Sequence, residues 1–382
     1  MMSTPNMRDE FYSGRVGIEH LPGTILRRRE VDLAGLEGAG SAWQIVYATR
    51  TGLGAPLPAS GIVITPSTTE IAGAGPTLVY CPRFHGLAGP CAPSQLLVRG
   101  EEPEAGFITA GLQRGWTVAV PDGPGLGMTD LGPYQFLAGH AGARAVLDLA
   151  RAVRDMPELE ATESPFAVWG FGDGGRTAIW TGEAHFDYAA ELDLRGVAAG
   201  AVVADPGALI SEIDGGPWAG LALAGLIGLG RAYRHLPVDH ILLASGREVI
   251  KRASKLDAAD IQVDYRHQPL GQWCERPDPW NDAMWRYVLA NEQSARVAPR
   301  VPVHLYHGTQ DALVPVAMGR ELFGAYRTLG VDLSWREYHN SHLGTAADGA
   351  GEAISRLASY LQRRPTPPGR ATTPASAAPE TT

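Results

Sequence analysis

A tight turn of the kind used in nucleophilic catalysis spans residues 169–175, but the nucleophile is missing. The segment has the outline of a strand–turn–helix in which a serine is held above the end of a buried strand. Gly170 and Gly174 supply the small residues that this turn requires, and the apolar run 166–169 precedes it. Gly172 occupies the serine position, so no side chain there could form a covalent acyl intermediate.

Asp311 and His342 come later in the chain, each shortly after a run that is typical of a buried strand. The order of elbow, carboxylate and histidine is that of α/β-hydrolases, in which the carboxylate orients the histidine. Each residue alone has an ordinary alternative, since Asp311 could form a turn and His342 could be structural. All three in this order favour a His–Asp pair beside Gly172.

The segments around these residues alternate between strand-like and helix-like patterns. Such alternation is typical of a parallel sheet with helices on both faces, an α/β architecture. Ahead of it, the runs 43–48 and 59–64 predict an antiparallel hairpin at a sheet edge. The predicted strands are 77–80, 117–120, 166–169, 197–203, 301–306 and 332–338, and the predicted helices are 104–114, 139–154, 317–329 and 347–363.

Four regions are predicted along the chain. Residues 1–23 form an N-terminal arm, and residues 24–205 together with 299–363 form one α/β core. Residues 206–298 interrupt the alternation, and we interpret them as a mostly helical cap inserted over the carboxyl ends of the sheet. Residues 364–382 are rich in proline, threonine and alanine without a period, which predicts a disordered tail.

Segments with a shared family pattern are spread along the chain: residues 22–27, 86–88, 91–94, 122–127, 142–148, 169–175 and 307–311. On these segments, from about residue 22 to residue 361, the chain resembles the secretory lipase family of bacterial and fungal, lipase A-like enzymes. The resemblance implies an α/β-hydrolase fold with an inserted cap. It also implies Asp311 as the acid and His342 as the base of a catalytic triad whose serine position is Gly172.

The loop after the first central strand departs from this family. Family members carry a His-Gly-Thr-Thr-Gly-like loop there, which helps to form the oxyanion hole, whereas this chain has Pro82, Arg83, Phe84 and His85. Proline has no N–H to donate, and the other three side chains are bulky where the backbone should approach the substrate. The alternative is a shifted loop that keeps one useful N–H.

We predict an anion-binding role for the groups around the vacant position. The N–H groups of Gly172 and Asp173 lie at the start of a predicted helix, where negative charge is favoured. We expect Arg83 and His85 to face the same pocket and to hold a carboxylate or enolate, with Phe84 beside them.

The substrate pocket is expected to be apolar and aromatic. Phe171, Tyr134 and Trp218 are the side chains predicted to line it. The predicted cap contains four tryptophans, and all of them could equally form the core of the cap: Trp218, Trp273, Trp280 and Trp285.

Three other side chains could replace the serine. Asp173 lies one position late, and the turn would then need a small residue where Phe171 stands. Ser341 precedes the predicted base and is better explained as a turn cap. Cys91 is better explained as a structural thiol or as half of a disulfide.

Composition narrows the classes of partner. A formal net charge of −9 argues against nucleic acid, which would need clustered basic residues. The three cysteines match no zinc or redox spacing, so we expect neither metal nor cofactor. The longest apolar run, 218–229, is shorter than the ~20 residues of a membrane span. The N-terminus shows no signal-peptide pattern, which predicts a cytoplasmic location, and the oligomeric state is left open.

Taken together, the residues predict acid/base chemistry by His342 and Asp311 on a lipophilic small molecule, without an acyl-enzyme. Cyclisation, elimination or addition in a bacterial biosynthetic pathway would fit this pair. One alternative is an ester hydrolase whose serine was changed to Gly172. The other is a non-catalytic protein that binds a hydrophobic ligand.

Overall fold

One nine-stranded sheet runs through the part of the chain that the computed structural model describes, which is residues 9–13, 20–67 and 75–363. The strands are β1 Ile25–Val31, β2 Ala39–Arg50, β3 Pro56–Pro66, β4 Thr77–Cys81, β5 Thr117–Pro121, β6 Phe166–Phe171, β7 Leu194–Gly200, β8 Val303–Gly308 and β9 Leu333–Tyr338. Their order is β1-β2-β3-β5-β4-β6-β7-β8-β9. The pairs β1–β2, β2–β3 and β3–β5 are antiparallel, and all pairs from β5–β4 onward in this order are parallel. This confirms the predicted α/β architecture.

The predicted hairpin is formed by β2 and β3, but it does not lie at the edge of the sheet. β1 pairs beyond β2 and forms the outer strand. The sequence did not reveal β1, because Arg27, Arg28 and Arg29 in its middle remove the apolar alternation of period two.

The described residues form eleven α-helices. They are α1 Pro93–Arg99, α2 Ala105–Leu112, α3 Gly139–Arg154, α4 Asp173–Tyr188, α5 Pro206–Ile213, α6 Ala219–Ala232, α7 Ala244–Ala253, α8 Ala258–Asp264, α9 Ala283–Asn291, α10 Val316–Thr328 and α11 His342–Gln362. Of these, α2 and α11 cover one face of the parallel half, and α3 and α4 cover the other. Along β6, Val168 packs in the core cluster that includes α3 and α4, while Ala167 and Trp169 pack with α2 and α11. This alternation is the period of two expected for a strand buried on both faces.

The helices α5 to α9 lie between β7 and β8, in the segment interpreted as a cap. Their apolar cluster includes Leu87, Phe136 and Val314, which come from loops that follow β4, β5 and β8. The segment therefore packs on the side of the sheet where these parallel strands end. Its exact boundaries as a domain, 206–298, stay a prediction.

The apolar run 218–229 falls largely within α6. Within the described ranges, no helix is long and apolar enough to cross a membrane. Most alanines, leucines and glycines of α6 are buried, and its apolar side chains pack in the cluster formed by α5–α9.

The last helix starts earlier than predicted. α11 begins at His342 rather than at residue 347, because the Ser341 side chain caps it and accepts the N–H of Gly344. His342 therefore lies in the first turn of a helix and not in a loop. The predicted tail 364–382 and most of the predicted arm 1–23 lie outside the described residues.

Candidate active site

The turn between β6 and α4 holds Gly172 at φ 59° and ψ −118°, a backbone conformation that glycine adopts readily and that would strain a residue with a side chain. The Gly172 N–H donates to the carbonyl of Gly200 at 2.9 Å, which ties the turn to β7. A Cβ on Gly170 would overlap the backbone of Gly174, and one on Gly174 would overlap the carbonyl of Cys81. Packing at this turn therefore requires residues without a side chain at positions 170 and 174, as the sequence pattern predicts.

A side chain at position 172 would meet His342. A Cβ built on Gly172 would lie 3.5 Å from Nε2 and 3.8 Å from Cε1 of the His342 ring. The space that a serine would fill therefore opens directly onto the ring nitrogen of the predicted base.

Asp311 orients His342. Asp311 Oδ2 lies 2.6 Å from Nδ1 of the ring, and Oδ1 accepts the N–H groups of Leu313 and Val314 at 2.9 Å each. An ionised carboxylate can only accept hydrogen bonds, so Nδ1 carries the proton and Nε2 presents a lone pair. That lone pair is available as a base toward Gly172.

A second histidine, His307 at the end of β8, contacts the same carboxylate. His307 Nε2 lies 2.9 Å from the carbonyl of Val314 and 3.5 Å from Asp311 Oδ2. Burial raises the pKa of Asp311, but hydrogen bonds from His307 and His342 outweigh burial and hold the pKa well below its usual value. His307 is a functional residue that the sequence predictions lack, although its place at a strand end, four residues before Asp311, is a usable signal.

Phe171 was predicted to line the pocket, but its side chain packs against the base His342 instead. The side chain is buried, and its ring lies edge-on to the His342 ring with centroids 4.9 Å apart. On its other side it packs against Tyr306 at 5.9 Å. As the last residue of β6, Phe171 points into the core, because the strand turns only after it.

Asp173 and Tyr134 form a buried pair next to the elbow. The Tyr134 hydroxyl donates to Asp173 Oδ2 at 2.8 Å, so it does not face the cavity beside Gly172, contrary to the prediction. Burial raises the pKa of Asp173 to about 6, although the Tyr134 hydrogen bond and the charge of Arg176 lower it. A carboxyl group tied down in this way is not placed as a nucleophile.

One of the two predicted anion-binding N–H groups, that of Gly172, is already in use, and so is the backbone N–H of Arg83. Gly172 donates to Gly200, and Arg83 donates its N–H to Glu104 Oε2 at 2.8 Å. Within the described part of the chain, the N–H groups of Asp173 and Phe84 have no hydrogen-bond partner. These two remain as donors for a developing negative charge, one from α4 and one from the loop after β4.

The prediction that His85 faces the pocket is wrong. His85 Nε2 lies 2.9 Å from Glu102 Oε1 and Nδ1 lies 2.6 Å from the carbonyl of Arg83. Burial lowers the pKa of His85, but Glu102 and Glu104 outweigh it and raise the pKa overall. Ligand atoms of His85, Glu102 and Glu104 lie within 4.8 Å of one another. Both ring nitrogens of His85 are already paired with protein oxygens, while Glu102 Oε2 is buried without a hydrogen-bond partner among the described residues.

An apolar cavity opens beside Gly172 and His342. Its empty volume is about 850 Å³, part of it open to solvent. Arg83 and Phe84 line it as predicted, and so does Trp218, whereas Trp273 and Trp285 are buried in the apolar cluster of α5–α9. Its further apolar walls come from Phe136, Leu137, Val203, Leu209, Ile210, Ile213, Leu221, Ala258, Leu313, Val314 and Leu343.

The other candidate nucleophiles do not reach this geometry. Ser341 is the N-cap of α11, with its hydroxyl directed at the N–H of Gly344. Cys91 is a buried free thiol, and burial raises its pKa to about 11, so the reactive thiolate is scarce at neutral pH. Cys81 and Cys274 are also free and buried, so of the two interpretations left open, a disulfide or reduced thiols, the structure has reduced thiols.

Comparison with known proteins matches residues 93–369 to the family described as secretory lipase. A probable inactive lipase of Mycobacterium tuberculosis is 27% identical, over 88% of this chain and 78% of its own length. A secreted triacylglycerol lipase of Malassezia globosa is 28% identical, over 90% of this chain and 76% of its own length.

The fold also resembles a solved structure. Candida antarctica lipase A in its closed state superposes with a TM-score of 0.83 at 21% identity, covering 93% of this chain and 86% of that one. At this level of identity the likeness concerns the fold, an α/β-hydrolase.

Proposed function

The chain belongs to the secretory lipase family, and on that premise we propose that it acts on a lipophilic small molecule without forming an acyl-enzyme. His342 and Asp311 would supply general acid/base chemistry of a non-hydrolytic kind. The observation that carries the proposal is the lone pair of His342 Nε2, which faces a glycine where the family reaction needs a hydroxyl.

The absence of a serine side chain at position 172 lowers the rate of ester hydrolysis that the site could reach. Removing one member of a serine triad lowers the rate by roughly 10⁴- to 10⁶-fold. A positioned general base still contributes about 10²- to 10⁴-fold. Chemistry that needs a proton moved, but no covalent nucleophile, is therefore what the remaining groups can do best.

The arrangement suits proton abstraction next to a carbonyl group. A substrate carbonyl oxygen would accept the N–H groups of Asp173 and Phe84, while His342 Nε2 takes a proton from the neighbouring carbon. The electron pair of the broken C–H bond moves to the carbonyl oxygen as an enolate. The imidazolium, stabilised by Asp311, then returns its proton. Protonation at another carbon of a conjugated enolate completes an isomerisation. In an elimination the enolate electron pair forms a C=C bond and expels a group from the β carbon, and that leaving group takes the proton. In a cyclisation the enolate carbon bonds to a second carbonyl carbon of the same substrate, and the oxygen of that carbonyl takes the proton.

An exchange experiment tests this step without knowledge of the natural substrate. A medium-chain methyl ketone is incubated in D₂O, and deuteration at the carbon next to the carbonyl is followed by NMR. We expect exchange with the wild-type protein and a loss of about 10²-fold or more in His342→Ala. His339→Ala is the matched control, because His339 is an exposed histidine that does not contact Asp311. Exchange that is unchanged in His342→Ala would overturn the proposal.

A second candidate is a protein that binds a lipophilic ligand and does not transform it. The similarity to a protein named a probable inactive lipase favours it, as does the apolar cavity. Ligand binding with no deuterium exchange in the wild type would support this candidate over the first.

The cellular location of the protein bears on its substrate and can be tested separately. Relatives named secreted lipases point against the cytoplasmic location expected from the sequence. Fractionation of the native host, with antibody detection in the medium and the cell extract, decides between the two.

A further inference from the structure

In addition to the polar residues Arg83, Asp173 and His342, the wall of the cavity contains one amide side chain, Gln262 of α8. Its Oε1 atom is shielded from solvent and has no hydrogen-bond partner within the described part of the chain. A buried polar atom without a partner is costly, so its presence in a ligand cavity calls for an explanation.

Gln262 belongs to a helix that is hydrogen-bonded to the loop after β4. α8 starts beside residues 82–86, because the N–H of Ala258 donates to the carbonyl of His85 at 2.9 Å. Gln262 follows Ala258 by one helical turn, which is about 6 Å along the helix axis. Ala258 and Gln262 both line the cavity, so α8 forms the part of its wall that runs from the loop after β4 to the Gln262 amide.

The polar side chains of the cavity come from separate elements. Arg83 belongs to the loop after β4, Asp173 and His342 begin α4 and α11, and Gln262 belongs to α8. The apolar lining side chains come mainly from α5, α6 and the loops after β5 and β8. Few polar groups on an otherwise apolar wall match a lipophilic ligand that carries more than one polar group.

We propose that the ligand is a bifunctional lipophile, with a carbonyl group at the His342 end and a hydroxyl or N–H donor that Gln262 Oε1 accepts. The identity of the reacting end rests on the proposed function, whereas the donor end rests on Gln262 alone. Gln262 would then be a specificity-determining residue, because a ligand without the donor leaves its amide oxygen unpaired.

A binding assay with pairs of ligands tests whether Gln262 accepts a hydrogen bond from the ligand. The two members of a pair differ only in a terminal hydroxyl group. Unsubstituted fatty acid methyl esters with six to fourteen acyl carbons are compared with their terminally hydroxylated counterparts, by displacement of anilinonaphthalene sulfonate fluorescence. At one chain length we expect the hydroxylated ester to bind about 5- to 30-fold more tightly to the wild type. That advantage should vanish in Gln262→Leu.

Two further variants make the result specific. Gln262→Asn keeps the amide but shortens the side chain by one methylene, so the preferred ester should become about one carbon longer. Gln272→Leu alters a glutamine that does not line the cavity and should leave the preference unchanged. Equal affinities for both esters at every length, or a preference that survives Gln262→Leu, would overturn the inference.

The two proposals can fail separately. A hydroxyl preference combined with unchanged deuterium exchange in His342→Ala would leave the donor site standing and remove the acid/base function. Loss of exchange in His342→Ala without any hydroxyl preference would do the reverse.

Discussion

His342 Nε2 lies 3.5 Å from the point where a Cβ on Gly172 would stand, with Asp311 hydrogen-bonded to the other ring nitrogen. The base and its orienting carboxylate have therefore kept the geometry of a serine triad around a position that holds no side chain. The loop after β4 has changed at the same time, since Glu104 takes the Arg83 N–H.

Restoring the hydroxyl should restore ester hydrolysis. In Gly172→Ser the new oxygen would extend from a Cβ placed at the His342 ring, and we expect hydrolysis of p-nitrophenyl butyrate to rise by about 10²- to 10³-fold. The positive φ should also cost about 1–3 kcal/mol of stability.

Gly172→Ala is the control for that experiment, because it introduces the same backbone strain without a hydroxyl. Both variants should show a similar loss in the free energy of unfolding, and only Gly172→Ser should hydrolyse the ester. Equal rates for the two would mean that the His342–Asp311 pair is not competent to activate a serine.

The buried carboxyl of Asp173 should make stability fall as pH rises. Its folded-state pKa of about 6 lies above the ordinary value of 3.8, so the unfolded chain releases this proton first. The wild type therefore loses stability between about pH 3.8 and pH 6, whereas Asp173→Asn has no such proton to lose. The free energy of unfolding of the variant relative to wild type, from urea titrations, should increase by up to about 3 kcal/mol between pH 4 and pH 7. A difference that stays constant with pH would show that Asp173 titrates normally.

A buried ion pair should hold the segment of α5–α9 to the core. Arg176 of α4 donates to Glu292 Oε2 at 2.9 Å, and both side chains are 1% exposed. Glu292→Gln leaves the guanidinium buried without its counter-charge, so we expect a loss of about 3 kcal/mol in urea unfolding. Glu101→Gln, which breaks the exposed pair with Arg99, should cost less than about 1 kcal/mol. Similar losses in both variants would contradict the structural role of the buried pair.

His307 should act as a positioning residue through Asp311. In the Gly172→Ser background, His307→Leu removes one of the contacts that keep the Asp311 pKa low, so that pKa should rise toward its ordinary value. We expect kcat for p-nitrophenyl butyrate to fall about 10-fold with little change in KM, and the acidic limb of its pH profile to move upward. His304→Leu is the control, because that buried histidine of β8 bonds Ser334 instead. An unaltered pH profile in His307→Leu would limit His307 to packing.

Local sequence patterns were enough to predict the α/β core and the principal pair of the site. Gly170 and Gly174, Asp311 and His342 each stand at a strand end, and the carboxyl ends of parallel strands meet at one edge of the sheet. Chain order and strand periodicity therefore imply proximity without coordinates. The same patterns did not predict the outer strand β1, because its three consecutive arginines interrupt the alternation of apolar and polar residues.

Side-chain direction, in contrast, was decided by packing between segments far apart in sequence. His85 turns toward Glu102, Tyr134 toward Asp173, and Phe171 toward His342, and no local pattern encodes those partners. A buried polar group goes to whichever partner satisfies it, and that partner exists only once the chain has folded. The sequence by itself determined that a base and its carboxylate would meet at a serine-less elbow. Only the tertiary structure decided which N–H groups stay free and which side chains form the cavity.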